Sequence, residues 1–167
     1  MHEPWFFYLH SFFSKHGLCN PVLPKKTPST DKKTGVTTYS YKFNTYSSLL
    51  FVAMHSLFYH SIDGKFKKRL HKELIHFLTP LSIAAWVCDD GYDNNGSTAF
   101  CTDSFSDECL DILIEIFKKK WDIRLHKFIH VKKYVRLRVD RQDMPKFVLL
   151  VKPKLHDSML YKLGDFQ

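Results

Sequence analysis

Two adjacent aspartates, Asp89 and Asp90, close the apolar run Leu78-Thr79-Pro80-Leu81-Ser82-Ile83-Ala84-Ala85-Trp86-Val87-Cys88 and are followed at once by Gly91. Thr79 and Pro80 read as a helix start, a hydroxyl N-cap ahead of Pro at the first helical position, and Gly91 reads as the stop. The acids therefore fall in the last turn, at the negative end of the helix macrodipole, where a carboxylate costs about 0.3–1 kcal/mol. The neighbouring like charge adds to that cost. A carboxylate pair kept in such a place calls for a cation, and Mg2+ is the usual oxygen-seeking candidate.

A second concentration of chemistry lies between residues 124 and 138. Arg124, Lys127, Lys132, Lys133, Arg136 and Arg138 occur there without one intervening acid. Val135, Leu137 and Val139 alternate with Arg136 and Arg138, the pattern of a strand with one apolar and one basic face. Such a sheet can follow phosphates and offer side chains to base edges, although a merely solvated strand face has the same pattern. Lys42 and Asn44, on the outward side of an earlier strand, would extend that surface. A formal charge of +8 points the same way, towards an anionic partner, but does not choose one.

The elements that must position these residues follow from periodicity. Residues 4–16 carry Trp5, Leu9, Phe12 and Phe13 at helical spacing, with Gly17 as a stop, and residues 20–35 form a loop rich in Pro, Lys and Thr. Thr37, Tyr39, Tyr41 and Phe43 alternate with Thr38, Ser40, Lys42 and Asn44 as in a half-buried strand. Helical patterns return over 47–59 and 70–77 and lead into the aspartate helix, after which Thr98, Phe100 and Thr102 mark a short strand. Ser106 caps the next helix, whose stripe is Leu110, Leu113, Phe117 and Trp121. Strands at 124–131 and 133–139 are expected to pair as a hairpin, and a helix at 142–151 follows. At 167 residues the chain is long enough to bury a real core.

Other chemistries find little support. Cys19, Cys88, Cys101 and Cys109 show neither C-x-x-C nor zinc spacing and read as reduced, buried thiols. The histidines show no ligand motif; His126 and His130 share one strand face as solvated or phosphate-facing imidazoles. No secretory h-region and no Arg/Ser-rich transit segment opens the chain, and no apolar run approaches the ~20 residues of a membrane span.

The segment 78–91 closely resembles the second motif of the LAGLIDADG homing endonucleases, in the branch where it reads L-T-P-x-S-x-A-x-W-x-x-D-D-G. Tyr41-Lys42-Phe43-Asn44-Thr45 is similar to that family's R-F-x-T strand. Cys101-Thr102-Asp103-Ser104-Phe105 resembles its N-T-Q-S-F, with Cys and Asp in place of Asn and Gln. Lys152-Pro153 and Met159-Leu160-Tyr161-Lys162-Leu163 resemble its closing K-P and M-x-Y-K-L. The family's first motif, with its own acidic helix, is expected to lie before residue 1.

The resemblance implies an α+β fold, a LAGLIDADG-type domain in which helices back an antiparallel basic sheet that forms a saddle. It implies a remnant of the first half over 1–60 and the second half over 61–167, together one compact unit. The family's reaction is phosphodiester hydrolysis with divalent metals shared between two acids. By its motif Asp90 is the metal-binding acid and Asp89 its less essential neighbour. Lys162 matches one of the lysines that polarise water or balance charge near the metals. Lys67 matches the other, with Lys68 as the alternative because Leu70 stands where the family has Pro. Ala84, Ala85 and Cys88 are the small residues through which this helix would pack on its twin, so their face is expected to need a cover: another protein, a second copy, or rearranged elements.

A site built from two helices retains one acid pair here, so double-strand cleavage by the isolated chain is not expected. The leading expectation is a shortened nucleic-acid-binding protein in an organelle, the mitochondrion favoured over the chloroplast, with intron or ribosomal RNA favoured over DNA. The alternative is one piece of a split endonuclease, for which Mg2+ matters only if a partner supplies the second acidic motif.

Overall fold

In the computed structural model, which describes residues 2–131 and 133–166, the chain packs as two compact units, Met1–Leu49 and Leu50–Gln167. The division falls earlier than the boundary at 60 drawn from the motifs.

In the first unit, α1 (Glu3–Lys15) carries Pro4 in its first turn and a row of aromatic residues. Tyr41 and Phe43 pack on it: Phe6 and Phe7 lie 5.6 and 5.0 Å from Tyr41, and Phe6 and His10 each lie 5.4 Å from Phe43, centroid to centroid. Lys42 and Asn44 are exposed and Tyr41 and Phe43 half-buried, so the alternation read from the sequence holds over residues 41–44, whereas Thr37 and Tyr39, expected on the buried side, are exposed. The regular strand, however, is only β2 (Thr37–Ser40), paired antiparallel with β1 (Thr27–Thr30) inside what reads as a loop. Both strands are exposed along almost their whole length, which removes the apolar signal that marks a strand in sequence.

The second unit begins with α2 (Leu49–Phe58) and a tight hairpin of β3 (Tyr59–Ile62) and β4 (Lys65–Lys68). No hairpin is expected there from periodicity. Its signal is the dipeptide Asp63-Gly64, whose φ values of 51° and 73° are those of a two-residue turn with both central residues left-handed. A short α3 (Leu74–Phe77) precedes the aspartate helix α4 (Pro80–Asp90). A four-stranded antiparallel sheet follows in the order β5-β6-β8-β7, from β5 (Gly91–Asp93), β6 (Thr98–Phe100), β7 (Leu125–His130) and β8 (Tyr134–Val139). Between β6 and β7 runs α5 (Asp107–Trp121), capped by the Ser106 hydroxyl and buried through Leu110, Leu113 and Phe117 as its stripe requires. After β8 come α6 (Met144–Val151) and tight turns over Lys152–Lys154 and Asp157–Phe166.

The core lies between the sheet's inner face and the helices: Ile83, Val87, Phe100, Phe117, Leu137, Met144, Phe147, Met159 and Leu163 are all essentially inaccessible. Cys19, Cys88 and Cys109 are buried free thiols and Cys101 is half-buried, as expected for reduced cysteines.

Gly91 joins α4 to β5 with no room for a side chain. A Cβ there would stand 2.6 Å from the Val87 carbonyl oxygen and 2.8 Å from Val87 Cα, both backbone atoms. The Gly91→Ala variant should therefore lose about 1–3 kcal/mol, the usual cost of forced overpacking. Urea unfolding checks this as a lowered midpoint at unchanged m-value.

Candidate functional site

The start of α4 is as read from the sequence. The Thr79 hydroxyl accepts from the Ser82 amide at 3.2 Å, and the Ser82 hydroxyl in turn accepts from the Thr79 amide at 2.7 Å. The helix then delivers Asp89 and Asp90, both exposed, at its last turn.

What lies beneath them is the ammonium of Lys162. Its Nζ donates to the carbonyl oxygens of Val87, Cys88 and Asp89 at 3.1, 2.5 and 3.5 Å, and the residue is only 5% exposed. Three acceptors match the three N–H donors of an ammonium. Lys162 thus closes the helix C-terminus from outside the helix, with a positive charge where the macrodipole is negative. Its own backbone is held by β6, through the Thr98 hydroxyl donating to the Lys162 carbonyl at 3.2 Å. Burial lowers its pKa, while Cys88, Asp89 and Asp90 pull it back up; burial likewise pushes the Cys88 thiol up. The sequence reading put Lys162 among the water-polarising lysines. Here its donors are directed at backbone oxygens.

The two candidates for the second lysine differ in placement. Lys67 stands opposite His60 in the β3–β4 hairpin and is exposed. Lys68, one residue on and so on the other face, donates to the Ser104 hydroxyl at 2.8 Å and lies 4.8 Å from the Phe105 ring centre. Lys68 and Asp90 line one cavity of about 470 Å3, whose walls include Ser82, Trp86, Phe58 and Phe105. The structure thus brings Lys68, and not Lys67, to the same hollow as the acid.

Asp89 and Asp90 are hard oxygen donors of the kind Mg2+ takes. Among the described residues no group of three or more His, Cys, Asp or Glu side chains is gathered closely enough to hold a metal ion. The pair fits one side of a shared metal site and does not complete one.

The face of α4 expected to need a cover is covered in large part by other elements of the chain. Ala84 and Cys88 are 0% and 2% exposed, in a helix that packs on α6 and on the turns at Lys152–Lys154 and Asp157–Phe166. The row turned outwards is Leu81, half-buried Ala85 and Asp89, at i, i+4 and i+8. Small residues signal close packing, but only the neighbours show what they pack on.

The 124–138 segment forms the expected hairpin, with Leu125 opposite Val139 and His126 opposite Arg138, and with Phe128 opposite Arg136 and His130 opposite Tyr134. Leu137 and Val139 enter the core while Arg136 and Arg138 face away from it. Acids from other elements, invisible along the segment itself, pair with three of its five described cations. Arg136 clasps Asp103, Nε to Oδ1 at 2.6 Å and Nη2 to Oδ2 at 2.7 Å, and adds the Tyr92 hydroxyl at 3.3 Å. Arg124 grips Asp143 with Nε to Oδ2 at 2.7 Å and holds that carboxyl down at about 2. Lys127 lies 2.8 and 2.6 Å from Asp107 and Asp111 of α5.

Arg138 and Lys133 remain exposed and have no ion pair among the described residues, and Lys132 lies outside the described residues. Arg138 sits 5.8 Å from the Phe128 ring centre, and Lys133 sits 4.9 Å from that of Tyr134. An open polar hollow of about 890 Å3 at one end of the hairpin is lined by Arg138, His126, Arg141, Asn94 and Asn95. His126 and His130 share the outward face as read, and His126 Nε2 is 2.6 Å from Asp140 Oδ2. The aromatic share of this face (Tyr92, Phe128, Tyr134) was not drawn from the sequence, although the alternation His126, Phe128, His130 carries it.

Two expectations follow. Replacing Lys162 by Met removes the ammonium donor from the carbonyls of Val87, Cys88 and Asp89 and the buried positive charge from the helix end, and should cost about 1–3 kcal/mol in urea unfolding. The Asp143 carboxyl, depressed by Arg124, contributes stability that is fully present above its unfolded value of about 3.9 and is lost as pH falls through about 2. Asp143→Asn should therefore be less stable than the parent by a constant amount from pH 5 to 7. That gap should narrow between pH 4 and 2, as thermal unfolding at each pH would measure.

The sequence pattern of the LAGLIDADG DNA endonuclease family matches residues 1–147. The chain is 31% identical over 166 residues to the cytochrome b mRNA maturase bI2 of Saccharomyces cerevisiae, covering 97% of this chain and 39% of that protein. It is 29% identical to the protein of the same description from Debaryomyces hansenii, over 99% of this chain and 62% of that one, so it spans less than two thirds of either maturase. A third relative, the intron-encoded endonuclease ai4 of Dictyostelium discoideum, is 28% identical over 93% of this chain and 98% of its own length. In fold the chain is similar to the homing endonuclease I-WcaI, solved bound to its DNA recognition sequence, with a TM-score of 0.79, 22% identity, and coverage of 93% of this chain and 70% of that one. No helix among the described residues is long and apolar enough to cross a membrane. With its motifs on α4, in the loop after β6 and in the closing turns, and a matching family pattern over most of its length, the chain belongs to the LAGLIDADG DNA endonuclease family.

Proposed function

We propose that this chain binds structured RNA, intron or ribosomal, in an organelle, and that by itself it does not cleave nucleic acid efficiently. The observation that carries the reading is the pairing of an outward sheet face bearing Arg138, Lys133 and aromatic rings with an acid pair beside which no third metal-ligating side chain is gathered among the described residues. The cytochrome b maturases among the relatives support RNA as the target and the mitochondrion as the setting. The outward row of α4, exposed Leu81 and Asp89 with half-buried Ala85 between them, is where another protein would cover the helix. Residues 1–60 would represent what remains of a first half, and 61–167 the second.

A second reading is supported by the exposure of Asp90 and by the intron-encoded endonucleases among the relatives. In it the chain is one piece of a split Mg2+-dependent endonuclease. Asp90, with Asp89 beside it, would share metals with an acidic helix on a partner; the metals would activate water for phosphodiester hydrolysis. Lys68, ahead of Lys67, would be the cation beside that site, and Lys162 would hold the helix end that presents the acids.

Titrating the purified chain with structured RNA and with duplex DNA at increasing salt, with and without Mg2+, separates the readings. RNA binding without cleavage is the expected result. Cleavage abolished by Asp90→Ala would establish the second reading instead, and absence of salt-dependent binding to either would leave a protein-only scaffold. Within the RNA complex Arg138→Ala should flatten the plot of log affinity against log salt by about 1, as expected for one lost phosphate contact. Lys127→Ala, whose charge is already balanced by Asp107 and Asp111, should leave the slope unchanged.

A further inference from the structure

We infer that the outward face of the β5-β6-β8-β7 sheet takes unpaired nucleotides by stacking, and is not primarily a surface for following duplex phosphates. This deepens the RNA-binding proposal and rests on it. Register puts the residues concerned on one face. Tyr92 stands opposite Ala99 in β5–β6, Ala99 stands opposite Arg138 in β6–β8, and Arg138 and Arg136 stand opposite His126 and Phe128 in β8–β7. Ala99, small and fully buried, leaves the rings around it to form the surface.

Tyr92, Phe128 and Tyr134 are each half-buried, so their rings are held in place and still accessible. Each has a cation beside it: Arg136 lies 5.5 Å from the Tyr92 ring centre, Arg138 lies 5.8 Å from Phe128, and Lys133 lies 4.9 Å from Tyr134. Rings and guanidinium planes are the two kinds of side chain on which an exposed base stacks, and every base has a π-face to offer. In a duplex those faces are hidden by the neighbouring base pairs.

The charge count argues in the same direction. Duplex recognition draws its affinity from neutralised phosphates. On this side of the sheet Arg136 is committed to Asp103, and Arg124, at the start of the hairpin, to Asp143, while Lys127, opposite Leu137, belongs to the other face and pairs with α5. Asp103 stands where the resembling motif has Gln, so the residue that takes up Arg136 is a departure of this chain. A face whose three rings stand beside only two uncommitted cations among the described residues, Arg138 and Lys133, is built for bases more than for backbone.

The test compares a twelve-nucleotide unstructured RNA with the same strand annealed to its complement, by fluorescence anisotropy on the full chain. The single strand is expected to bind at least tenfold more tightly. Phe128→Leu and Tyr134→Leu keep apolar bulk but remove the ring, and each should weaken single-strand binding by roughly five- to a hundredfold, the range for one lost base–ring stack, with duplex affinity unchanged. Duplex binding that equals or exceeds single-strand binding, with both leucine variants silent, would overturn the stacking inference while leaving nucleic-acid binding intact. Binding to neither RNA would overturn both. Should the leucine variants fail to fold by circular dichroism, photocrosslinking of 4-thiouridine RNA to the native chain decides: adducts at Tyr92, Phe128 or Tyr134 sustain the inference, and adducts confined elsewhere overturn it.

Discussion

A helix that ends in two carboxylates works against its own electrostatics, since the last carbonyls already carry partial negative charge and have no partners within the helix. In this chain the difficulty is met by Lys162, whose buried ammonium donates to the carbonyls of Val87, Cys88 and Asp89. Much of the second unit converges on that contact. The turn at Asp157–Phe166 must fold back over α4, Thr98 must hold the Lys162 carbonyl, and Met159 and Leu163 must pack on either side of it in sequence. Gly91 completes the arrangement by letting the chain leave α4 into β5 against the Val87 backbone. The sheet begins where the acids end, so the acid pair and the sheet face are fixed by one local solution.

The ion pairs around the β7–β8 hairpin show why a count of basic residues overstates a binding surface. Arg124, Lys127 and Arg136 each meet a carboxylate from a different element: the turn after β8, the first turns of α5, and the loop after β6. Such pairs contribute modestly where they are exposed. Their larger effect is to select which cations remain for a ligand. Arg138 beside Phe128, and Lys133 beside Tyr134, are what the tertiary structure leaves, and both are joined to a ring.

Several elements were readable in the residues themselves because their causes are local. Thr79, Pro80 and Gly91 delimit α4 through capping, fixed φ and close approach, each a matter of one or two residues. Ser106 and the Leu110, Leu113, Phe117 stripe define α5, and the alternation from 124 to 139 defines the β7–β8 pair. The β3–β4 hairpin was equally local, marked by Asp63-Gly64, but its strands carry no alternation of burial that would draw attention to it. The β1–β2 hairpin is exposed almost throughout and has no apolar signature at all.

The sequence by itself therefore determined the helix that carries Asp89 and Asp90, the polarity of the sheet's two faces and the family to which these motifs point, because periodicity and capping act over a few residues. Only the tertiary structure decided what each charge does. It set Lys162 under α4 across more than seventy residues of chain, turned Lys68 rather than Lys67 towards the hollow beside Asp90, sent Ala84 and Cys88 into the core, and balanced Arg124, Lys127 and Arg136 with distant acids. Electrostatic partnership depends on distance in space, and a sequence records only distance along the chain.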